Sequence, residues 1–181
     1  LTSTVEGDET PVVVHHEKGQ ESQTTIALKP GLSTQVSEQM VKPGAPLTDE
    51  IKVWDTADTK FTITAKLYGL ADPGENRQCS TLTNAVWERM IAEGTAKVLG
   101  EETIVVDKGD GTYTTKGITL PADATGCATW WEQADFEGSE SSTIITEYGI
   151  VEETATVLNP VVTTVAHHEY DYAGSLFTDT I

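Results

Sequence analysis

Seven or eight short runs of alternating apolar and polar residues, spread over about 130 positions and punctuated by Gly and Pro, predict an all-β fold of the immunoglobulin-like sandwich class. Strand signals are nowhere alternated with helical ones, which disfavours a parallel sheet. The chain also repeats itself. Leu28-Lys29-Pro30 recurs as Leu158-Asn159-Pro160, and at the same spacing Thr34 falls on Thr164, Gly44 on Gly174, Thr48-Asp49 on Thr178-Asp179 and Ile51 on Ile181. Near the start, Val5-Glu6-Gly7 and Val12-Val13-Val14 match Phe136-Glu137-Gly138 and Thr143-Ile144-Ile145 with one residue of slack. A period of roughly 130 residues is the size of a whole domain and exceeds solenoid units. The expected organisation is the closing strand segment of a preceding repeat (1–26), one complete sandwich (27–158) and the opening strand segment of a following repeat (159–181).

Each element is expected from local pattern. Strands are expected at 32–41 and 47–53, separated by Pro43-Gly44-Ala45-Pro46. Phe61, Ile63, Ala65 and Leu67 sit at every second position of 60–68, which describes a half-buried strand. Ala71-Asp72-Pro73-Gly74 ends that region. Leu82, Val86, Met90 and Ile91 approach a 3.6 spacing, so 82–93 is the one expected helix. Strands at 103–106 and 112–120 flank Lys108-Gly109-Asp110-Gly111, whose glycines suit a hairpin turn. Further strands are expected at 97–99, 127–136, 143–148 and 154–158.

Composition narrows function. The 11 Lys+Arg against 29 Asp+Glu give a formal charge of −18, which repels phosphate backbones and anionic lipid, so no nucleic-acid or membrane partner is expected. Cys79 and Cys127 are the only cysteines. Neither has the close second ligand of a zinc site, and a disulfide is the expected pairing in an exported domain. Asp107 and Asp110 lack the ligand spacing of a calcium loop. The doublets His15-His16 and His167-His168 place neighbours on opposite strand faces, too few ligands for a metal. There is no phosphate loop, nucleophile elbow or convergent nucleophile–base set, so neither a cofactor nor an enzyme with turnover is expected.

The first doublet gains meaning from the residues downstream of it. His15-x-Glu17-x-x-Gln20-x-x-Gln23-Thr24 resembles the closing strand of the VaFE-type, or Thr–Gln ester-bond, repeats of Gram-positive surface adhesins. Val162-Thr163-Thr164-Val165-Ala166 is similar to that family's opening strand, and so is Leu32-Ser33-Thr34-Gln35-Val36. Trp130-Trp131-Glu132 resembles its Val/Ala-Phe-Glu signature, and Gly111-Thr112-Tyr113-Thr114-Thr115 is similar to a stretch of actinobacterial surface repeats with paired cysteines. In the family a Thr hydroxyl of the first strand attacks a Gln side-chain amide of the last, and ammonia leaves. The resemblance implies that Gln23, with His15 and Glu17, is the amide half of a preceding unit. Thr164 is likewise the hydroxyl half of a following one. The central unit keeps Thr34 and Glu132 but closes on Tyr148-Gly149-Ile150-Val151-Glu152-Glu153-Thr154, without His or Gln. Gln133 is the off-pattern amide that remains, and the cysteine bridge is a replacement fastening.

The resulting expectation is a stalk repeat of an extracellular, cell-wall-anchored adhesin, held by covalent fastenings, whose partners are neighbouring repeats and, through end-to-end strand pairing such as Thr164 with Gln23, other copies. The alternative is a module that itself binds a host protein or glycan, for which Trp131, Tyr148 and Trp54 are the candidate platform.

Overall fold

The computed structural model describes residues 2–5, 12–15, 29–56, 59–76, 78–107, 109–137, 142–160, 165–166 and 179–180. The central unit is a β-sandwich. One sheet contains β3 (Gly31–Val36), β6 (Asp49–Trp54) and β9 (Gly111–Thr114) in the order β3-β6-β9, all antiparallel, with β5 (Pro46–Leu47) and β10 (Ile118–Thr119) paired beside it as a short ribbon. The other sheet has six strands. Its path runs β4 (Met40–Val41), β13 (Thr154–Val157), β11 (Gly126–Phe136), β7 (Phe61–Ala71) and β8 (Lys97–Val106), and β12 (Ser142–Ile145) pairs with the far end of β11.

Alternation decides which face is buried. Phe61, Ile63, Ala65 and Leu67 of β7 and Trp130, Ala134 and Phe136 of β11 meet Ile51 and Val53 of β6 in one core that also holds Leu47, Leu120, Ala155 and Val157. A second cluster covers the outer face of the six-stranded sheet. There α1 (Asn84–Ala92) lays the fully buried Trp87 over Tyr68, Ala71, Leu82 and Cys127, with Val86, Met90, Ile91, Trp131 and Tyr148 packed around it.

Two expectations are corrected. The segments 97–99 and 103–106 are a single strand, β8, continuous through Gly100, where a Cβ would lie 2.6 Å from Ile118 Cδ1. Gly109-Asp110-Gly111 does not close a hairpin: β8 pairs with β7, whereas β9 pairs with β6 in the opposite sheet, so the turn is a crossover. Asp110 explains the crossover. Its carboxylate accepts from the Thr56 amide at 2.9 Å, the Thr56 hydroxyl at 2.8 Å and the Asp55 amide at 3.0 Å, which ties the turn to the end of β6 and, chiefly through the Thr56 amide, holds its pKa below the ordinary value.

Gly126 opens β11 with φ +119°, and a Cβ there would sit 2.6 Å from the Ala71 carbonyl oxygen. Gly126→Ala is therefore expected to lose about 2–3 kcal/mol in urea unfolding, from strain and a backbone clash together. Gly44→Ala, at φ +76° with its nearest neighbour 3.9 Å away, has only the strain and is expected to lose less.

The flanks reproduce strand pairings of the centre. β14 (Val165–Ala166) and β15 (Asp179–Thr180) pair Val165 with Thr180 and Ala166 with Asp179; 130 positions earlier, β3 and β6 pair Gln35 with Glu50 and Val36 with Asp49. β1 (Thr2–Val5) and β2 (Val12–His15) pair Thr2 with His15 and Thr4 with Val13, matching Gln133 with Ile145 and Asp135 with Thr143 in β11 and β12. β2 pairs at a spacing of 130, one position from where its valines match by sequence. Among the described residues, each flank pair is a two-stranded sheet of its own.

Candidate functional site

The sandwich interior contains four polar side chains that its apolar surroundings do not explain. Thr34 points inward from β3 between Leu32 and Val36, and its Oγ1 is buried with no hydrogen-bond partner. Asp49, at the start of β6, is 0% exposed. Its backbone is clamped by Thr115, whose hydroxyl accepts from the Asp49 amide at 2.8 Å while the Thr115 amide donates to the Asp49 carbonyl at 3.0 Å, but neither carboxyl oxygen has a partner. Glu132, also 0% exposed, projects from β11 in the opposite sheet. Glu153 ends the 3₁₀ turn Val151–Glu153 that leads into β13 and is 2% exposed.

Three buried carboxyl groups from three elements thus face the same interior, near enough to feel one another's charge. Glu132 is oriented by Thr146, whose hydroxyl accepts from the Glu132 amide at 2.8 Å and donates to Glu132 Oε2 at 3.0 Å. That hydroxyl has no second proton, and Glu132 Oε1 and Glu153 Oε2 remain without donors. Two ionised carboxylates facing each other in an apolar core would cost several kcal/mol each. Protonation relieves the problem: burial above all, then the charges of Glu153 and Asp49, raises the Glu132 pKa well above the ordinary range. Burial pushes Asp49 up to about 7, and the neighbouring Glu50 and Gln35 amides and Glu132 carboxyl offset it only in part. Burial first, then Asp49 and Glu152, pushes Glu153 up to about 8.

No protein-family model matches the chain, and no curated protein does. Solved structures similar to it include the C-terminal domain of wzt, at 10% identity over 75% of this chain and 78% of that one, with a TM-score of 0.43. Others are the sporulation control protein Spo0M from Bacillus subtilis (10% identity, 75% and 51%, TM-score 0.29) and a beta-glucosidase from Listeria innocua (10%, 74% and 17%, TM-score 0.33).

Of the candidate residues, Thr34 and Glu132 both line this interior, and Asp49 and Glu153 join them. Cys79 and Cys127 form a disulfide with Cα atoms 5.5 Å apart. It lies under the closing strand, where the Thr156 hydroxyl donates to Cys79 Sγ at 3.2 Å. Thr164, Gln23 and Glu17 lie outside the described residues; His15 ends β2, paired with Thr2. Gln133 is excluded as a partner for Thr34, since it alternates with Glu132 onto the outer face of β11, and its amide donates to Asp135 Oδ2 at 2.8 Å. The aromatic platform is only partly assembled. Trp131 and Tyr148 stack at 6.1 Å and Tyr68 meets Tyr148 edge-on at 5.2 Å, but Trp54 belongs to the other sheet and lies against Gly31. No group of three or more metal-ligating side chains occurs among the described residues.

Asp49 and Glu153 were not singled out by sequence. Asp49 carried a signal, the repetition of Thr48-Asp49 as Thr178-Asp179. Glu153 carried one too: where the resemblance expects Gln, one alignment places Glu153 and the alternative, one residue later, places Thr154.

Proposed function

We propose that residues 27–158 are one stalk module of a cell-wall-anchored extracellular adhesin, flanked by parts of neighbouring modules, and that its task is to carry tension. The observation behind this reading is how the closing strand of the unit meets β4, the strand that follows the opening strand β3. β4 and β13 run parallel, with the Thr156 amide donating to the Gln39 carbonyl at 2.8 Å and the Leu158 amide to the Val41 carbonyl at 3.1 Å. The Gln39 side chain adds a third link, Nε2 to the Val151 carbonyl at 3.3 Å. Once load passes β3, which is itself paired with β6, pulling the entering chain backwards and the leaving chain forwards slides the parallel strands β4 and β13 past each other. Their hydrogen bonds are then loaded together instead of opening one by one.

Other features support the same reading. The flank strand pairs share register with strand pairs of the centre, as consecutive units of one array would. A disulfide braces the closing strand. Thr34 stands on the opening strand, but among the described residues no side-chain amide bonds to its hydroxyl, so the bridge is the fastening expected in this unit.

Stretching the 181-residue chain between handles tests the proposal. A single abrupt rupture is expected, and Leu158→Pro, which removes the N–H given to Val41 at an exposed position, is expected to lower the rupture force while moving the thermal midpoint little. In the same sample the intact mass is expected two hydrogens below the sequence sum, with no loss of ammonia. Gradual low-force extension, or a Leu158→Pro chain as strong as the wild type, overturns the stalk reading. Saturable binding of a glycan or matrix protein would favour the adhesive alternative.

A further inference from the structure

We propose that Asp49, Glu132 and Glu153 form a proton-operated latch that ties the two sheets together and holds the closing strand in place while protonated, and releases that strand when ionised. The proposal concerns regulation of the fold and does not depend on what the chain is anchored to.

The geometry is specific. Asp49 belongs to the three-stranded sheet, Glu132 to the six-stranded one, and Glu153 to the turn that delivers the chain into β13. Asp49 and Glu132 therefore face one interior from opposite sheets, both buried and with carboxyl oxygens that have no partner. Glu153 sits at the third corner, directly before the residues whose amides hold β4.

Nothing else neutralises the cluster. Facing or flanking it are the Thr34 hydroxyl and the Gln35 amide from β3, Glu50 from β6, Thr115 ahead of β10, Thr146 after β12, and Glu152 beside Glu153. The only additional charges are negative. Every Lys and Arg whose burial is described is exposed or half-buried, and the ion pairs Lys60–Asp107 and Lys66–Glu101 lie elsewhere. When protons leave, like charges face one another in the core with no cation to meet them.

The direction of the pH effect is set by the sign of the shifts. Folded-state pKa values are raised, so the folded chain binds more protons than the unfolded one above about pH 4, where free carboxyls titrate. Stability is complete below that point and is lost as pH rises through about 7 for Asp49 and about 8 for Glu153.

The test uses the full chain between pH 5 and 8.5, reading the thermal midpoint and the hydrogen-exchange protection of the Thr156 and Leu158 amides after correction for intrinsic exchange. In the wild type the midpoint is expected to fall by at least about 5 °C, and protection of both amides to fall with it. Glu153→Gln, which cannot ionise, is expected to show less than half of each fall. Glu152→Gln, an exposed change of equal charge, is expected to fall like the wild type. A flat or rising wild-type midpoint, an undiminished fall in Glu153→Gln, or equal flattening in Glu152→Gln overturns the latch. If Glu153→Gln does not fold, carboxyl ¹³C titration of the wild type decides. At least one of the three groups titrating above pH 6 supports the latch, and none doing so overturns it.

Discussion

Removing the Cys79–Cys127 bridge is expected to cost about 4 kcal/mol and to lengthen the fully stretched chain by about 160 Å. The first figure is the loop-closure entropy of a 48-residue separation, and the second is the same segment at about 3.4 Å per residue. Both cysteines are almost completely buried, so the bridge is protected from reductant while the domain is folded. Urea unfolding of the Cys79→Ser/Cys127→Ser chain gives the free energy. Stretching with and without reductant gives the length. A midpoint indistinguishable from wild type would mean that the denatured chain is already constrained, and an unchanged length would mean that the bridge had not formed.

The second large effect is expected at Trp130. It is 0% exposed at the centre of β11, between Ala128 and Glu132 on the core face, and Trp130→Ala is expected to lose about 3–5 kcal/mol through lost burial and a cavity that a sandwich closed from both sides cannot fill. Trp130→Phe separates packing from polarity. The indole Nε1 has no acceptor, so removing it relieves an unpaired donor and the loss is expected to stay under about 2 kcal/mol. Urea midpoints at constant slope check both. A Phe variant as damaged as the Ala variant would mean that the indole nitrogen has an acceptor.

Much of this was legible before any coordinates. The alternation of Phe61, Ile63, Ala65 and Leu67 specified the inner face of β7 because a strand turns successive side chains to opposite sides. The helix at 84–92 lies within the expected 82–93, since Val86, Met90 and Ile91 repeat at helical spacing. Adjacent Trp130 and Trp131 divided between core and outer face as their neighbourhood in one strand requires. The error at Gly109–Gly111 has a physical origin. A glycine turn between two strands looks the same whether the chain folds back on itself or crosses to another sheet, and what decides is a distant partner, here Thr56 meeting Asp110.

The candidate site was half legible. Thr34 and Glu132 came from resemblance, which ranks residues by motif and does not reveal burial. Asp49 and Glu153 belong to an acid-rich chain with 29 carboxylate side chains, and only the topology distinguishes the three described as buried from those on the surface. The pairing of Trp131 with Tyr148 without Trp54 has the same cause, because which sheet a strand joins is not written in the strand.

The outer helix has a further consequence. Closely spaced similar domains are prone to merge through their sheets during folding. By covering one end of the six-stranded sheet's outer face, α1 and its Trp87 deny that surface to the strands of another domain, which in the proposed array would guard against misassembly between look-alikes.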